Sequence, residues 1–249
     1  MNRDIRRVVV TGFWAVSITA LAVLCLSAAK FKKQAALKEI KVEIEGADSD
    51  ACFMRPADIQ REIREIIGPL DKHSVGDVSC DILEAALSRN PFIANVEVFV
   101  SGDAVLTARI AQRKPVLRVI ADGENFYLDS EGKKIPVSPY YTPRVHVVTG
   151  TGAAAHAGEI LGLVEFIRDD KVLNALFGQL VYTAGGDITL IPVIGRAEIL
   201  FGKPEHIAEK FENLKAFYSE VLAEAGWEQY RTIDLRFRDQ IICKKNPTS

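Results

Sequence analysis

An uncharged segment near the N-terminus constrains this chain more than any other feature of its sequence. Residues 8–29 form a run of 22 residues without a charged side chain, with three arginines before it and three lysines shortly after it. A helix rises about 1.5 Å per residue, so this run reaches ~33 Å and matches a hydrocarbon core of about 30 Å. The sequence therefore predicts a transmembrane helix at 8–29, with a short tail at 1–7 and a juxtamembrane linker at 30–37.

The same segment shares one feature with removable signal peptides. Ser27 and Ala29 form the small-x-small pattern that a signal peptidase reads, and a basic region precedes the apolar run. The apolar core of a removable signal is about 7 to 15 residues long, which is shorter than this run. We therefore favour a retained anchor, with cleavage as the alternative. Because equal numbers of basic residues flank the run, the positive-inside rule leaves the orientation of the helix open.

The composition argues against two classes of function for the rest of the chain. Residues 30–249 carry 28 Lys and Arg against 32 Asp and Glu, a balance that does not indicate a nucleic-acid-binding surface. Cys52, Cys80 and Cys243 are widely spaced and belong to no CxxC or Cys/His cluster, so we predict neither a metal site nor a cofactor. A Cys52–Cys80 disulfide is compatible with an oxidising compartment, but buried free thiols are the favoured interpretation.

A β-α-α-β-β unit is predicted for residues 38–114. Pro56 suits the first turn of the first helix, and Pro91 ends the second helix, because the residue before a proline is driven out of the α region. Alternating apolar and polar residues mark the strands, and Gly102 lies in the turn between the last two. The predicted elements are a strand at 40–45, helices at 56–67 and 80–89, and strands at 95–100 and 104–110.

Residues 115–245 are predicted to form a β-rich mixed domain with two helices, followed by a tail at 246–249. Short strands separated by Asp122-Gly123 and by Gly132 indicate an antiparallel meander at the start of this domain. Helical periodicity follows at 155–170 and at 204–225, with a strand pair between the two helices. Alternation then predicts one closing strand over TIDLRFRDQIICKK, residues 232–245. The fold class is therefore α+β after one transmembrane helix.

Three stretches of this sequence resemble the bacterial cell-division family FtsQ, called DivIB in some lineages. They are NPFIANVEVFV, QRKPVLRVI and FYLDSEGKKIPVSPYYTPRVHVV, and the likeness is strongest over residues 90–148. The resemblance implies that 38–114 is a POTRA domain and that 115–245 is the family's β domain. It also implies a single-pass protein of the inner membrane at the division septum, with a cytoplasmic N-terminus and a periplasmic bulk.

A glycine-rich turn is the first candidate for chemistry. Gly150 and Gly152 follow a strand and precede a helix, as in a dinucleotide-binding turn, with Asp169 and Asp170 at nearly the right distance. A Rossmann site needs a parallel βαβ unit with the acidic residue at the end of its second strand. We expect antiparallel hairpins around this turn and place both aspartates at the end of a helix. The favoured interpretation is a flexible connection, without nucleotide binding.

The titratable residues do not indicate a catalytic site. Asp129 and Glu131 lie in a hairpin turn, where acidic side chains serve local backbone hydrogen bonds. The chain has no HExxH or GxSxG motif. We therefore predict no catalytic residues and no enzymatic activity. The four histidines are predicted on separate elements: His73, His146, His156 and His206.

The closing strand carries the sharpest hypothesis. Ile233 and Leu235 alternate with Asp234, so one face of the strand can pack on a helix while the other presents charge. If this strand lies at a sheet edge, its unpaired backbone groups are a template for a partner's strand; the alternative is an ordinary edge strand guarded by its arginines. The resemblance implies that FtsB- and FtsL-like partners bind here by adding a strand. The predicted partner-binding residues are Arg236, Phe237, Arg238, Gln240, Ile241 and Cys243.

Together these features predict a non-enzymatic scaffold that spans the membrane once and links septal division proteins by protein-protein contacts. Two alternatives remain. A POTRA-bearing envelope assembly or transport factor usually repeats the unit or adds a barrel, for which this chain is short. A membrane-anchored envelope hydrolase would require two of the histidines to meet in a shared cleft with a perturbed acid.

Overall fold

The computed structural model describes residues 13–14, 17–24, 34–46, 51–222, 226, 228–238 and 240–246. Residues 13–14 and 17–24 are helical, and the rest of the predicted transmembrane helix at 8–29 lies outside the described residues. Within the part of the chain that is described, no helix combines the length and apolar character needed to cross a membrane. The predicted tail at 1–7 and parts of the segments predicted at 30–37 and 246–249 also lie outside it.

The chain divides into two compact units between Gln112 and Arg113. Both units combine helices with β-sheet, which confirms the predicted α+β class. Each unit has its own apolar core.

Among its described residues from 34 to 112, the first unit has one three-stranded sheet and two α-helices. β3 is the central strand, with β1 parallel to it on one side and β2 antiparallel to it on the other. Two short 3-10 helices lie between α1 and α2. The element order is β-α-α-β-β, as the sequence predicts. The elements are β1 (Glu39–Ile44), α1 (Pro56–Ile67), α2 (Cys80–Leu87), β2 (Ile93–Val100) and β3 (Val105–Gln112).

The helices of the first unit bury their apolar faces against one face of this sheet. Ile59 and Ile63 of α1 and Leu83 and Leu87 of α2 are fully buried, at the i, i+4 spacing that aligns side chains along one helix face. Burial of each such side chain stabilises the fold by about 1.5–3 kcal/mol. On the other face, Arg109 of β3 forms ion pairs with acidic side chains of both neighbouring strands. The sheet is thus covered on one side and charged on the other.

The second unit is built on a nine-stranded sheet with the order β12-β11-β10-β9-β8-β7-β4-β5-β6. β4, β5 and β6 form the predicted antiparallel meander. The strands are β4 (Pro115–Ala121), β5 (Glu124–Asp129), β6 (Lys134–Pro136), β7 (His146–Thr149), β8 (Phe177–Tyr182), β9 (Ile188–Pro192), β10 (Glu198–Gly202), β11 (Tyr230–Asp234) and β12 (Ile242–Lys245). The α-helices are α3 (Ala157–Asp169), α4 (Lys171–Leu176) and α5 (Ile207–Phe217), and a π-helical turn, Tyr218–Leu222, follows α5.

The surroundings of the glycine-rich turn differ from the prediction. β7 lies between β4 and β8 and runs parallel to both, so the expected antiparallel hairpins are wrong. α3 and α4 form the crossover that returns the chain to the sheet as β8, a strand that was not predicted. Gly150 has a φ of 106°, and a Cβ there would lie 2.0 Å from the carbonyl oxygen of Tyr182. The glycine is therefore required by the close approach of two backbones.

An intramolecular carboxylate occupies the backbone donors of this turn. The Asp122 side chain accepts the Gly152 N–H at 3.1 and 3.0 Å and the Ala154 N–H at 3.4 Å. A phosphate bound in a dinucleotide-binding turn would need such N–H groups. Asp170 caps the N-terminus of α4 through the N–H groups of Val172 and Leu173, so it is not placed to contact a ribose. The Asp122 contacts hold the glycine-rich turn in place.

The helices of the second unit number three among the described residues, where the sequence predicts two. The unpredicted α4 has six residues, too few for a clear periodic pattern. The helix predicted to begin at residue 204 begins at Ile207, after His206 in a left-handed conformation. Residues 223–225, the predicted end of that helix, lie outside the described residues. Phe211 of α5 anchors the core, with its ring 5.2 Å from that of Phe201.

The local role predicted for Asp129 is observed. Its carboxylate accepts the N–H groups of Glu131 and Lys133 and pairs with Arg113. Within the described part of the chain Cys52, Cys80 and Cys243 are not disulfide-bonded, each is half-buried, and the Cys52 Sγ accepts a hydrogen bond from Gln112 Nε2 at 3.6 Å.

Candidate protein-docking site

The predicted closing strand is two strands. The expectation of one continuous strand at 232–245 is wrong, because β11 and β12 form an antiparallel pair joined by residues 235–241. The bend follows from Asp234, whose carboxylate accepts the backbone N–H of Arg236 at 3.0 Å and its side-chain Nε and Nη2 at 2.9 and 2.6 Å. A side chain that hydrogen-bonds to the backbone two residues ahead gives the chain an alternative to the hydrogen bonds of a β-strand. We refer to residues 230–245 as the terminal hairpin.

At this end of the sheet the edge strand is therefore β12. β11 is paired on both sides, parallel with β10 and antiparallel with β12, so the backbone of Ile233 is not available to a partner. β12 is the outermost strand, and no described residue pairs with its outer side. The Asn246 N–H bonds to the carbonyl of Gln229, so the alternation of an antiparallel strand points the backbone groups of Cys243 and Lys245 outward.

The side chains of β12 combine exposed apolar, exposed basic and half-buried residues at this edge. Ile242 is 40% exposed, and Lys244 and Lys245 are exposed. Cys243 is half-buried against the apolar core, and this burial raises the pKa of its thiol. At neutral pH the residue acts as a small apolar side chain beneath the edge.

Five of the six predicted partner-binding residues lie in the connection of the terminal hairpin, and only Cys243 lies on β12. Arg236 is held by the protein itself through Asp234, and its Cγ would be 2.8 Å from a Cβ at Gly202. The Arg236 hydrogen bonds lower the pKa of the Asp234 carboxyl below its usual range. The Arg236 guanidinium therefore lies at the C-terminal end of β11.

The other connection residues differ in their exposure. The exposed fraction is 47% for Phe237 and 70% for the Arg238 side chain, whose Nε lies 3.7 Å from Glu209 Oε1. Gln240 is exposed, and Ile241 is half-buried against the core. Residue 239 lies outside the described residues.

A groove that the sequence did not reveal runs beside this connection. Its apolar floor consists of Phe217, Val221 and Ile241, and its charged rim includes Glu220 and Arg238. Phe217 and Val221 lie in the segment 204–225, whose apolar residues recur with helical periodicity, a pattern typical of core positions. Phe217, at the end of α5, is half-buried, and Val221, in the π-helical turn that follows, is exposed.

Two polar clefts lie beyond the carboxyl ends of the parallel strands. His206 lines one and His156 lines the other, and the two clefts share Lys203 and Glu205. The His156 ring stacks on Tyr182 with centroids 5.2 Å apart, and its Nδ1 bonds to the carbonyl of Gly152 at 3.0 Å. Among the described residues, neither histidine is hydrogen-bonded to a nucleophile, and no three His, Cys, Asp or Glu residues converge as a metal site.

A sequence model described as "FtsQ/DivIB, C-terminal related" matches residues 114–244, which is more than half of the chain and includes the terminal hairpin. The chain belongs to the FtsQ/DivIB family. This confirms the family that the sequence resemblance predicts.

Two curated FtsQ relatives extend the likeness into the first unit. The protein named "Cell division protein FtsQ" from Geotalea daltonii is 25% identical over 199 residues, which cover 75% of this chain and 70% of that protein. The protein of the same name from Rhodothermus marinus is 23% identical over 258 aligned positions, with 98% of this chain and 88% of that protein covered. The similarity to FtsQ proteins therefore spans both units.

Proposed function

We propose that this protein is a non-enzymatic scaffold of the bacterial division machinery that captures a partner by adding the partner's strand to β12. The single observation that carries this proposal is that no described residue pairs with the outer side of β12, in a chain of the FtsQ/DivIB family. Both relatives described above are named cell division proteins, which supports a role in division. The proposed partners are FtsB- and FtsL-like division proteins.

The geometry of β12 limits what strand addition alone can contribute. The strand has four residues, and each backbone hydrogen bond to a partner contributes about 0.5–1.5 kcal/mol net. A partner therefore needs side-chain contacts as well as the edge. The groove floored by Phe217, Val221 and Ile241 lies beside the hairpin connection and offers apolar surface for such contacts. Phe237 and Arg238 are exposed in the connection, where they can select among partners.

The first unit supplies a second surface in this proposal. We assign residues 38–114 to a POTRA-like domain and 115–245 to the β domain. The β-α-α-β-β order and the three-stranded sheet covered by two helices support the first assignment. This unit serves recruitment or contacts with other septal proteins.

Membrane confinement completes the scaffold. We propose that residues 8–29 span the inner membrane once, with residues 1–7 in the cytoplasm and both units in the periplasm at the septum. Confinement raises the effective concentration of partners in the same membrane, so several weak contacts can replace one tight interface.

Copurification of the full chain with FtsB- and FtsL-like partners tests the proposal. Lys245→Pro removes an outward backbone donor from β12 while leaving the inward bonds to β11, so partner recovery should fall at least tenfold. Phe237→Glu and Arg238→Glu test the connection separately and should also lower recovery. Lys133→Glu, on an exposed side chain beside β6 at the opposite end of the sheet, serves as the control.

Undiminished recovery with Lys245→Pro, in a protein that unfolds at the wild-type temperature, contradicts strand addition at β12. Loss of recovery with the connection variants alone would place the contact in the groove and connection instead.

A further inference from the structure

A second exposed strand edge lies in the first unit. β2 has eight residues, Ile93–Val100, and no described residue forms a strand on its outer side. Long edge strands are templates for pairing with another chain, and proteins usually block them. The remaining edge of the large sheet, β6, has only three residues, begins with Lys134 and ends with Pro136, which limits pairing there.

One side chain blocks the middle of the β2 edge. Glu84 of α2 accepts the backbone N–H of Val98 at 2.7 Å through its Oε1. The Val98 N–H therefore points away from β3, and strand alternation directs the backbone groups of Val96 and Val100 to the same outer side. An incoming strand would need this N–H for a ladder bond. The Glu84 carboxylate would also repel the carbonyl oxygen that such a strand brings.

We propose that β2 is a latent docking edge that Glu84 keeps closed, and that its occupant is β2 of a second copy, paired antiparallel. The register centred on Val98 places the two Val98 residues opposite each other and Val96 opposite Val100. Glu97 then lies opposite Phe99 of the other copy, so no like charges face each other. In this register the two central hydrogen bonds would join the Val98 N–H of each copy to the Val98 carbonyl of the other. The Glu84 carboxylate of each copy already accepts that N–H.

This inference goes beyond the proposed function, since it concerns the other unit and the other sheet. Glu84 prevents the chain from pairing with itself through β2. Withdrawal of Glu84 converts β2 into a dimerisation surface.

Sedimentation of the full chain in detergent micelles tests the gate. Glu84→Ala removes the acceptor while keeping a good helix former, and the dimer association constant should rise at least tenfold over wild type. Glu84→Gln keeps an Oε1 acceptor and should sediment as wild type does. Asp81→Ala removes a negative charge from the exposed first turn of the same helix without touching Val98, and it should also match wild type.

Cross-linking tests the register. In a chain whose four native cysteines are replaced by alanine, Glu97→Cys and Phe99→Cys are made separately, each with Glu84→Ala. Cα atoms of a non-hydrogen-bonded antiparallel pair lie about 4.5 Å apart, which a disulfide can span. Mixing the two variants should give a disulfide between them, and neither variant alone should cross-link to the same extent. Restoring Glu84 should abolish the product.

Hydrogen exchange at the Val98 amide distinguishes the gate from a purely structural contact. In Glu84→Ala at low protein concentration this amide should exchange at least tenfold faster, and raising the concentration should protect it again. Faster exchange without protection at high concentration, or sedimentation unchanged from wild type, overturns the proposal. If Glu84→Ala unfolds the first unit, exchange will accelerate across β3 as well, and that outcome also counts against a gate.

Discussion

The Asp234 carboxylate holds the backbone N–H and the guanidinium of Arg236, two residues ahead, and this contact turns the chain out of β11. After the turn, β12 folds back on β11 and is the last strand of the sheet. The side-chain pair thus lies at the start of the connection that leads to the proposed docking edge.

Replacing Asp234 should destabilise the second unit in a pH-dependent way. Hydrogen bonds from Arg236 lower the pKa of this carboxyl, so its contribution to stability is present above the ordinary carboxyl pKa of about 3.9. The contribution is lost as the pH falls through the lower, folded-state pKa. Asp234→Ala should reduce the free energy of unfolding by about 1–3 kcal/mol at pH 7, and the difference from wild type should shrink in acid.

Urea denaturation at pH 7 and at pH 3 measures this difference. Asp187→Ala is the matched control, because Asp187 lies 3.8 Å from the same guanidinium but is more exposed. A change of at most ~1 kcal/mol is expected there. Equal losses for both variants would contradict the role given to Asp234.

His146 should make the second unit sensitive to mild acid. Its side chain is 6% exposed, and its Nε2 has no hydrogen-bond partner among the described residues. Burial lowers the pKa of His146 below its ordinary value of about 6.5. The unfolded chain then binds a proton that the folded protein excludes, so stability falls as the pH drops below about 6.5 and levels off below the folded-state pKa.

Denaturation midpoints at pH 7.5 and 5.5 test this dependence. In His146→Phe the loss between the two pH values should be smaller than in wild type. His206→Phe, at an exposed position, should retain the wild-type loss. An unchanged pH dependence in His146→Phe would show that other groups cause it.

Lys210 of α5 should stabilise the connection that follows β10. Its Nζ donates to the carbonyl oxygens of Phe201 and Lys203, both at 2.9 Å, and lies 4.5 Å from the centre of the Phe201 ring. Burial lowers the pKa of the ammonium, but these acceptors remain satisfied only while it is present. Lys210→Met should lower the free energy of unfolding by about 1–3 kcal/mol.

Chemical denaturation of Lys210→Met and Lys203→Met compares the contributions of the two lysine side chains to the free energy of unfolding. Lys203 contributes its backbone carbonyl to the contact, and its exposed side chain can be replaced with little effect. A loss in Lys203→Met as large as in Lys210→Met would argue against the carbonyl contacts as the cause.

Gly150→Ala should be among the most destabilising single substitutions in the second unit. A Cβ at this positive-φ position would lie 2.0 Å from the carbonyl oxygen of Tyr182, so one backbone must move. Together with the φ strain, we expect a loss of about 3 kcal/mol. Gly158→Ala, in the first turn of α3 with no atom within 4 Å of the new Cβ, should be neutral or stabilising.

Thermal unfolding of the two glycine variants provides the comparison. A similar melting temperature for Gly150→Ala and wild type would show that the turn adapts without cost. In that case the close approach of the Tyr182 backbone does not require a glycine at position 150.

The first unit was predictable because its elements are locally encoded. Pro56 begins α1 and Gly68 ends it, and α1 has the predicted limits. The second unit was less predictable where elements are short. α4 and β8 adjoin without a turn between them, so neither shows a full period of its own.

The docking site shows the same contrast. The final segment was predicted to form a sheet edge, but the residues assigned to it fall mostly in a connection. The apolar groove beside them was missed because Phe217 and Val221 lie on a helical stripe that is typical of core. Phe217 is half-buried at the end of α5 and Val221 is exposed in the π-helical turn that follows, a turn that the sequence pattern did not predict.

Periodicity and the placement of prolines and glycines are properties of neighbouring residues, so the chain order alone encodes the α+β class, most helix limits and the family resemblance. Strand pairing joins residues far apart in the chain, and which strand is left without a neighbour depends on all the other pairings. The tertiary structure therefore decided that β12 and not β11 is the free edge, and that Glu84 lies over the outer side of β2.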